Sequence, residues 1–257
     1  VMSEALLGLP FDIHTGGIDH REIHHPNEIA QNQAHSCSDH SGAKIWMHNN
    51  FLIDRTGKMS KSSGEFLRVQ LLIDKGIHPL AYRLMCLQAH YRSELEFTWD
   101  NLVAALTRLK RIVMGVERLQ EKADGQTAKL VHPALVQLRD KFDAALSEDL
   151  NSSKSLPLLE ELLGLKKLPA DQRLALLTEM DSVLGLELAT LKRDQLRVRP
   201  ADAKIDESSI EAKLDQRQQA KVEKDFATAD SIRDELTARG VELMDGDPLR
   251  WDWKIEI

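Results

Sequence analysis

Between residues 102 and 119 large aliphatic side chains return every three or four positions: Leu102, Leu106, Leu109, Val113, Val116 and Leu119. On a helix of 3.6 residues per turn they form one stripe, so this stretch must bury one face against other helices. Arg108, Lys110, Arg111 and Arg118 fall mostly off the stripe, where a cation meets solvent or the phosphates of a nucleic acid. Further helices are expected around 134–146, 153–164 and 170–184. Residues 68–190 therefore read as a helical stem and bundle.

The segment before it, 1–67, has a different pattern. Phe11 to His14 reads as a short strand that runs into a Thr15-Gly16-Gly17 turn, and residues 26–36 read as a helix with Pro26 in its first turn. Lys44 to Ile53 is rich in strand formers and ends at Asp54-Arg55-Thr56-Gly57, a turn signal. Two strands do not make an independently stable α/β sheet, so this segment requires further cover for its edges. After the helices, 191–207 holds Pro200, mixed charge and few large apolar groups, the composition of a linker. Residues 208–257 then read as two helices, the second ending at Gly240, and a terminal hairpin. The fold class expected is mostly α: the end of a Rossmann-type α/β catalytic domain, a helical bundle, and a small α+β C-terminal module.

Composition narrows the function. With 42% hydrophobic and 29% charged residues the chain can bury cores. No stretch approaches the ~20 apolar residues of a membrane span, and no signal peptide is visible. Two cysteines, Cys37 and Cys86, argue against a disulfide framework and fit a reducing cytoplasm. A net charge of −7 does not suit indiscriminate nucleic-acid binding, so an RNA partner requires local basic surfaces.

The residues with chemical promise are grouped. Lys58-Met59-Ser60-Lys61-Ser62 places two lysines three apart among small hydroxyl residues, suited to a triphosphate and to the charge that builds on a pyrophosphate leaving group. Gly16 and Gly17 would let backbone approach a nucleotide closely, and Asp19 could accept from ribose hydroxyls. His24 and Glu28 stand four apart, hence on one helical face, and can offer two ligands to zinc. His35, Cys37 and His40 could form a second metal cluster or lie plainly at the surface, and Trp46 could stack on a base or, as strand tryptophans more often do, pack in the core. Trp251, beside Arg250 and Trp253 in an exposed-looking hairpin, could stack an unpaired base or close a local apolar cluster.

Taken in order, Phe11-Asp12-Ile13-His14-Thr15-Gly16-Gly17-Ile18-Asp19, His24-His25-Pro26-Asn27-Glu28-Ile29-Ala30-Gln31, Trp46-Met47-His48, the lysine signature at 58–62, Leu87-Gln88-Ala89-His90-Tyr91-Arg92-Ser93 and Phe142-Asp143-Ala144-Ala145 resemble the cysteinyl-tRNA synthetase family of class I aminoacyl-tRNA synthetases. The resemblance covers essentially the whole chain, from about the middle of those enzymes to their C-terminus. It implies cysteine activation by ATP and transfer to tRNA(Cys), with Mg²⁺ and Zn²⁺, by a cytoplasmic monomer. It assigns Lys58 and Lys61 to the phosphates, and His14, Gly16, Gly17 and Asp19 to the adenylate site. It assigns His24 and Glu28 to zinc, whose other two ligands are cysteines outside this sequence. It also gives Arg217, Arg233, Asp234, Asp245 and Trp251 to the anticodon.

The sequence departs from the family at His20-Arg21-Glu22-Ile23, where an apolar stretch is common, and at Pro26, where an acidic residue is frequent. The family's His-Ile-Gly-His signature has no counterpart, so the chain is expected to be the C-terminal part of a longer polypeptide. A truncated tRNA-binding paralogue starting at Met2 and a ligase joining cysteine to an amino sugar are the alternative readings.

Overall fold

The structure, a computed structural model, describes residues 2–53 and 68–255. The lysine signature at 58–62 lies outside the described residues.

The first unit begins with α1 (Met2–Leu7) and β1 (Phe11–Gly17), passes through a 3₁₀ turn at Ile18–His20 into α2 (His24–Ser36), and returns as β2 (Ala43–Asn49). β1 and β2 are parallel, in register from Phe11 opposite Ala43 to Gly17 opposite Asn49. A parallel pair needs a crossover, and α2 supplies it. β1 runs three residues further than expected because Thr15, Gly16 and Gly17 pair with Met47, His48 and Asn49 rather than turning. Ile13 and Ile45, opposite one another, are each 57% exposed. Parallel strands are ordinarily covered on both faces, so this sheet retains an apolar surface for a further layer.

β3 (Leu52–Ile53) pairs in parallel with β4 (Leu95–Glu96), a strand too short to have shown a period. Between them stand α3 (Val69–Asp74) and α4 (Pro79–Leu87). α5 (Trp99–Lys122) follows, started by the Thr98 hydroxyl accepting from the Asn101 N–H at 3.0 Å. Its stripe is buried as expected, with Ala105 and Ile112 added. The first half, Leu102, Ala105 and Leu106, packs with Leu72, Ile77, Ala81, Met85 and Phe97. The second half, Leu109 to Leu119, packs with α6 (Pro133–Ser147), α7 (Ser152–Gly164) and α8 (Ala170–Leu184). The off-stripe cations are partly engaged: Arg108 grips Glu160 of α7 with two bonds, at 2.7 and 3.0 Å, and Lys110 pairs with Asp252.

The expected linker at 191–207 is more than a tether. Leu191 and Leu196 are buried in the bundle core, and Arg193 bonds Asp247 at 2.8 Å and, through its N–H, Glu117 at 3.1 Å. The terminal module consists of α9 (Glu207–Val222), α10 (Phe226–Ala238) and the antiparallel pair β5 (Val241–Leu243) and β6 (Trp251–Trp253). Its core is Ile205, Ile210, Leu214, Ile232, Leu236, Val241, Trp251 and Trp253. Gly240, at φ +82°, makes the left-handed step out of α10 into β5. Among the described residues no helix is long and apolar enough to cross a membrane.

Two expectations follow. Leu109 is fully buried at the centre of α5, so Leu109→Ala should destabilise the protein by about 2–5 kcal/mol in urea unfolding. In the terminal module, the Arg217 guanidinium and then Lys221 hold the Asp245 carboxyl well below the usual carboxylate range. A depressed carboxyl stabilises above its unfolded pKa, about 4, and loses that contribution as pH falls toward its folded value. Tryptophan fluorescence should therefore report acid weakening of this module below about pH 4, and Asp245→Asn should flatten the response in that window.

Candidate functional site

β1, α2 and β2 converge on a group of histidines. His14 comes from β1, His20 from the 3₁₀ turn, His24 and His25 from the first turn of α2, and His48 from β2. Because α2 crosses between the two strands, its first turn lies over their C-terminal ends, where ligands of open α/β sheets bind. His14 Nε2 and Glu28 Oε2 are 3.1 Å apart, and His24 Nε2 is 4.0 Å from the same oxygen. His25 Nδ1 meets His48 Nε2 at 2.8 Å, so one of these two nitrogens carries the shared proton. Trp46 closes the cluster from β2, its ring 4.6 Å from that of His14 and 4.9 Å from that of His25.

The expected zinc pair is thus brought together but unequally. Glu28 is half-buried and central, whereas His24 is 66% exposed at its side chain. Among the described residues, the group whose ligand atoms lie closest together is His14, His25 and Glu28, all within 4.8 Å. His25 was missed from sequence. It is buried, and loss of hydration first, then the neighbouring His14 and His48, push its pKa down, so it is held neutral. Its one sequence signal was its place three residues before Glu28, on the same helical face. Two or three imidazoles around a carboxylate are a donor set that suits Zn²⁺, and neutral imidazole is the form that binds it.

The glycines act through space rather than backbone freedom. Gly17 has an ordinary extended backbone, φ −72° and ψ 161°. A Cβ there would collide with the Asp19 carboxylate, and one on Gly16 would lie 2.7–2.8 Å from the His20 and His25 rings. Asp19 itself is exposed, 3.8 Å from His20. His35, in the last turn of α2 rather than in a loop, pairs with Glu4 at 2.7 Å, and Cys37 is exposed just beyond the helix.

The anticodon candidates all lie in the terminal module, in two different states. Arg233 and Asp234 are exposed on α10, with Arg233 3.2 Å from Asp230 and 3.5 Å from Asp234. Arg217, buried, grips Asp245 with two bonds at 2.7 and 3.0 Å, and Lys221 joins them at 3.1 Å. The exposed hairpin expected around Trp251 is corrected. Trp251 is fully buried, its Nε1 donates to Glu211 at 2.6 Å, and the Arg197 guanidinium covers its ring at 3.8 Å. It packs inside the module and has no free face for a base in this arrangement.

Residues 1–107 match the family described as tRNA synthetases class I (C) catalytic domain. The chain is 61% identical over 261 residues to a cysteine–tRNA ligase of Novosphingobium aromaticivorans, covering 99% of this chain and 53% of that protein. It is 50% identical to the cysteine–tRNA ligase of Zymomonas mobilis, over 100% of this chain and 56% of that protein. For Treponema denticola the identity is 35%, over 95% and 52%. The chain spans about half the length of the curated relatives it matches. On these similarities, which run through every unit of the fold, the chain belongs to the cysteine–tRNA ligase family of class I tRNA synthetases.

Proposed function

We propose that the intact protein is a cytoplasmic, monomeric cysteine–tRNA ligase. It joins cysteine to ATP as an adenylate with release of pyrophosphate, then passes the aminoacyl group to a terminal hydroxyl of tRNA(Cys). The observation that carries this reading is the convergence of His14, His24, His25 and Glu28 beside Gly16 and Gly17, in a chain whose relatives are named for cysteine. No side chain need attack the substrate, because this chemistry rests on positioning and on stabilising phosphate charge.

In this reading Gly16 and Gly17 keep Cβ bulk away from the adenylate, and Asp19 accepts from its ribose. Lys58 and Lys61 bind the phosphates together with Mg²⁺ and stabilise the departing pyrophosphate. His24 and Glu28 are two of the four ligands of a Zn²⁺ whose affinity for thiolate separates cysteine from serine. His14 bonds Glu28 from β1 and orients its carboxylate, the service that outer partners give to metal ligands. His25, neutral and bonded to His48, forms the floor of the same site.

The terminal module reads the anticodon. Arg233 and Asp234 present exposed edges on α10, while Arg217 and Asp245 offer the rim of their pair. Trp251 serves from inside, holding β6 against α9 through Glu211.

Amino-acid-dependent ATP–pyrophosphate exchange by the intact protein tests the reading. Exchange should occur with cysteine and not with serine. Lys61→Ala should slow it about 10²–10³-fold, the loss typical of one preorganised donor to transition-state charge, with cysteine binding changed little. No exchange by the wild type, or an unchanged rate in Lys61→Ala, would contradict the assignment. Separately, Glu28→Gln should keep the far-ultraviolet circular dichroism of the wild type but retain less zinc after dialysis, as measured by atomic emission.

A further inference from the structure

The corner between α6 and α7 turns through two left-handed residues. Asp149 and Leu150, neither a glycine, both adopt left-handed conformations, at φ 60° and 54°. Such positions cost energy and persist where surrounding contacts over-determine them. For Asp149 these contacts come from residues 89–92, while the Leu150 N–H donates to the Leu146 carbonyl at 2.9 Å. Tyr91 donates its hydroxyl to Asp149 Oδ1 at 2.6 Å, and Arg92 reaches the same carboxylate through Nη2 at 3.2 Å and Nε at 3.0 Å. His90 Nε2 donates to the Asp149 carbonyl at 3.0 Å, and the Ser152 hydroxyl donates to the Ala89 carbonyl at 3.3 Å.

The same short segment holds the α/β unit from its other side. The Asn50 N–H donates to the Tyr91 carbonyl at 2.8 Å, and Asn50 Nδ2 donates to the Arg92 carbonyl at 3.0 Å. The Leu95 N–H then donates to the Phe51 carbonyl at 3.0 Å, and the Phe97 N–H to the Ile53 carbonyl at 2.8 Å. A continuous run of hydrogen bonds therefore leads from the bundle corner, through Tyr91 and Arg92, to Asn50–Ile53. Ile53 is the last described residue before the sequence reaches Lys58 and Lys61.

Exposed ion pairs return little stability, and this network is exposed: the Asp149 side chain at 41% and that of Arg92 at 65%. Strain at the corner is thus set against bonds whose main product is geometry. We infer that Asp149, acting through Tyr91 and Arg92, is a positioning residue that fixes the Asn50–Ile53 segment of the adenylating unit relative to the helical bundle. This inference rests on the proposed ligase activity. Asp149 touches no reacting atom. Its role is to set where Ile53 stands relative to the bundle.

The test uses the intact protein with Tyr91→Phe, which removes one hydroxyl, and Asp149→Asn, which keeps an acceptor but removes the charge that holds Arg92. Cysteine-dependent pyrophosphate exchange, the melting midpoint and amide hydrogen exchange at Asn50, Leu95 and Phe97 are measured for each. In both variants the three amides should exchange faster and kcat should fall about ten- to a hundredfold, the scale on which small misplacements act. KM for cysteine should stay within about twofold and the melting midpoint within a few degrees. Unchanged kcat in a folded variant would overturn the inference, as would a parallel loss of kcat, cysteine KM and melting midpoint. If Asp149→Asn does not fold, Tyr91→Phe decides. If the wild type shows no exchange, the ligase reading fails by itself, and unchanged amide exchange in the variants would still overturn the positioning role.

Discussion

The buried face of α5 is the constraint on which the other parts depend. The helix has 24 residues, about 36 Å at 1.5 Å per residue, and it serves two cores in succession. Leu102, Ala105 and Leu106 close the smaller core under α3 and α4, against which Leu52 of β3, Leu95 of β4 and Ile255 also pack. Leu109 to Leu119 close the larger core with α6, α7 and α8. Lys110, on the partly open side of the same helix, reaches Asp252 in the terminal hairpin, and Glu117 receives the Arg193 N–H. One rigid element therefore meets the α/β unit, the bundle and the terminal module.

A ligase acting on tRNA has a use for such an element. The proposed activation site lies on the first unit and the proposed anticodon contacts on the last, so their relative placement is part of the mechanism. The apolar face of α5 supplies rigidity, because close-packed side chains do not slide. The polar ties to Asp252 and Asp247 supply direction, since ion pairs specify geometry more than they stabilise. The Asp149 corner adds a second tie between bundle and sheet, made of hydrogen bonds and the Arg92–Asp149 ion pair.

What could be read from sequence divides along physical lines. The α5 stripe, the helices of the bundle and the βαβ order of the first unit were legible because local periodicity encodes them. His24 and Glu28 were legible as a helical pair, but the weight that the structure places on His25 and His14 was not. Which member of the His24-His25 doublet turns inward is decided by Trp46 and His48, on a strand brought alongside by the crossover. β4 escaped notice because two residues carry no period. The burial of Trp251 was announced by a signal that was passed over. Trp251-Asp252-Trp253 alternates at period two, which sends both indoles to one face of β6 and into the module's core. The lysine signature is legible in sequence alone, since residues 54–67 lie outside the described structure.

Native-state hydrogen exchange along α5 tests the central claim most directly. If this helix is the shared spine, amides in its first half, near Leu102 to Leu106, and in its second half, near Leu109 to Leu119, should open with one common free energy, the highest in the chain. They should respond alike to added denaturant. A first half that opens separately, in a lower-energy event that leaves the second half protected, would show two independent cores and contradict the account.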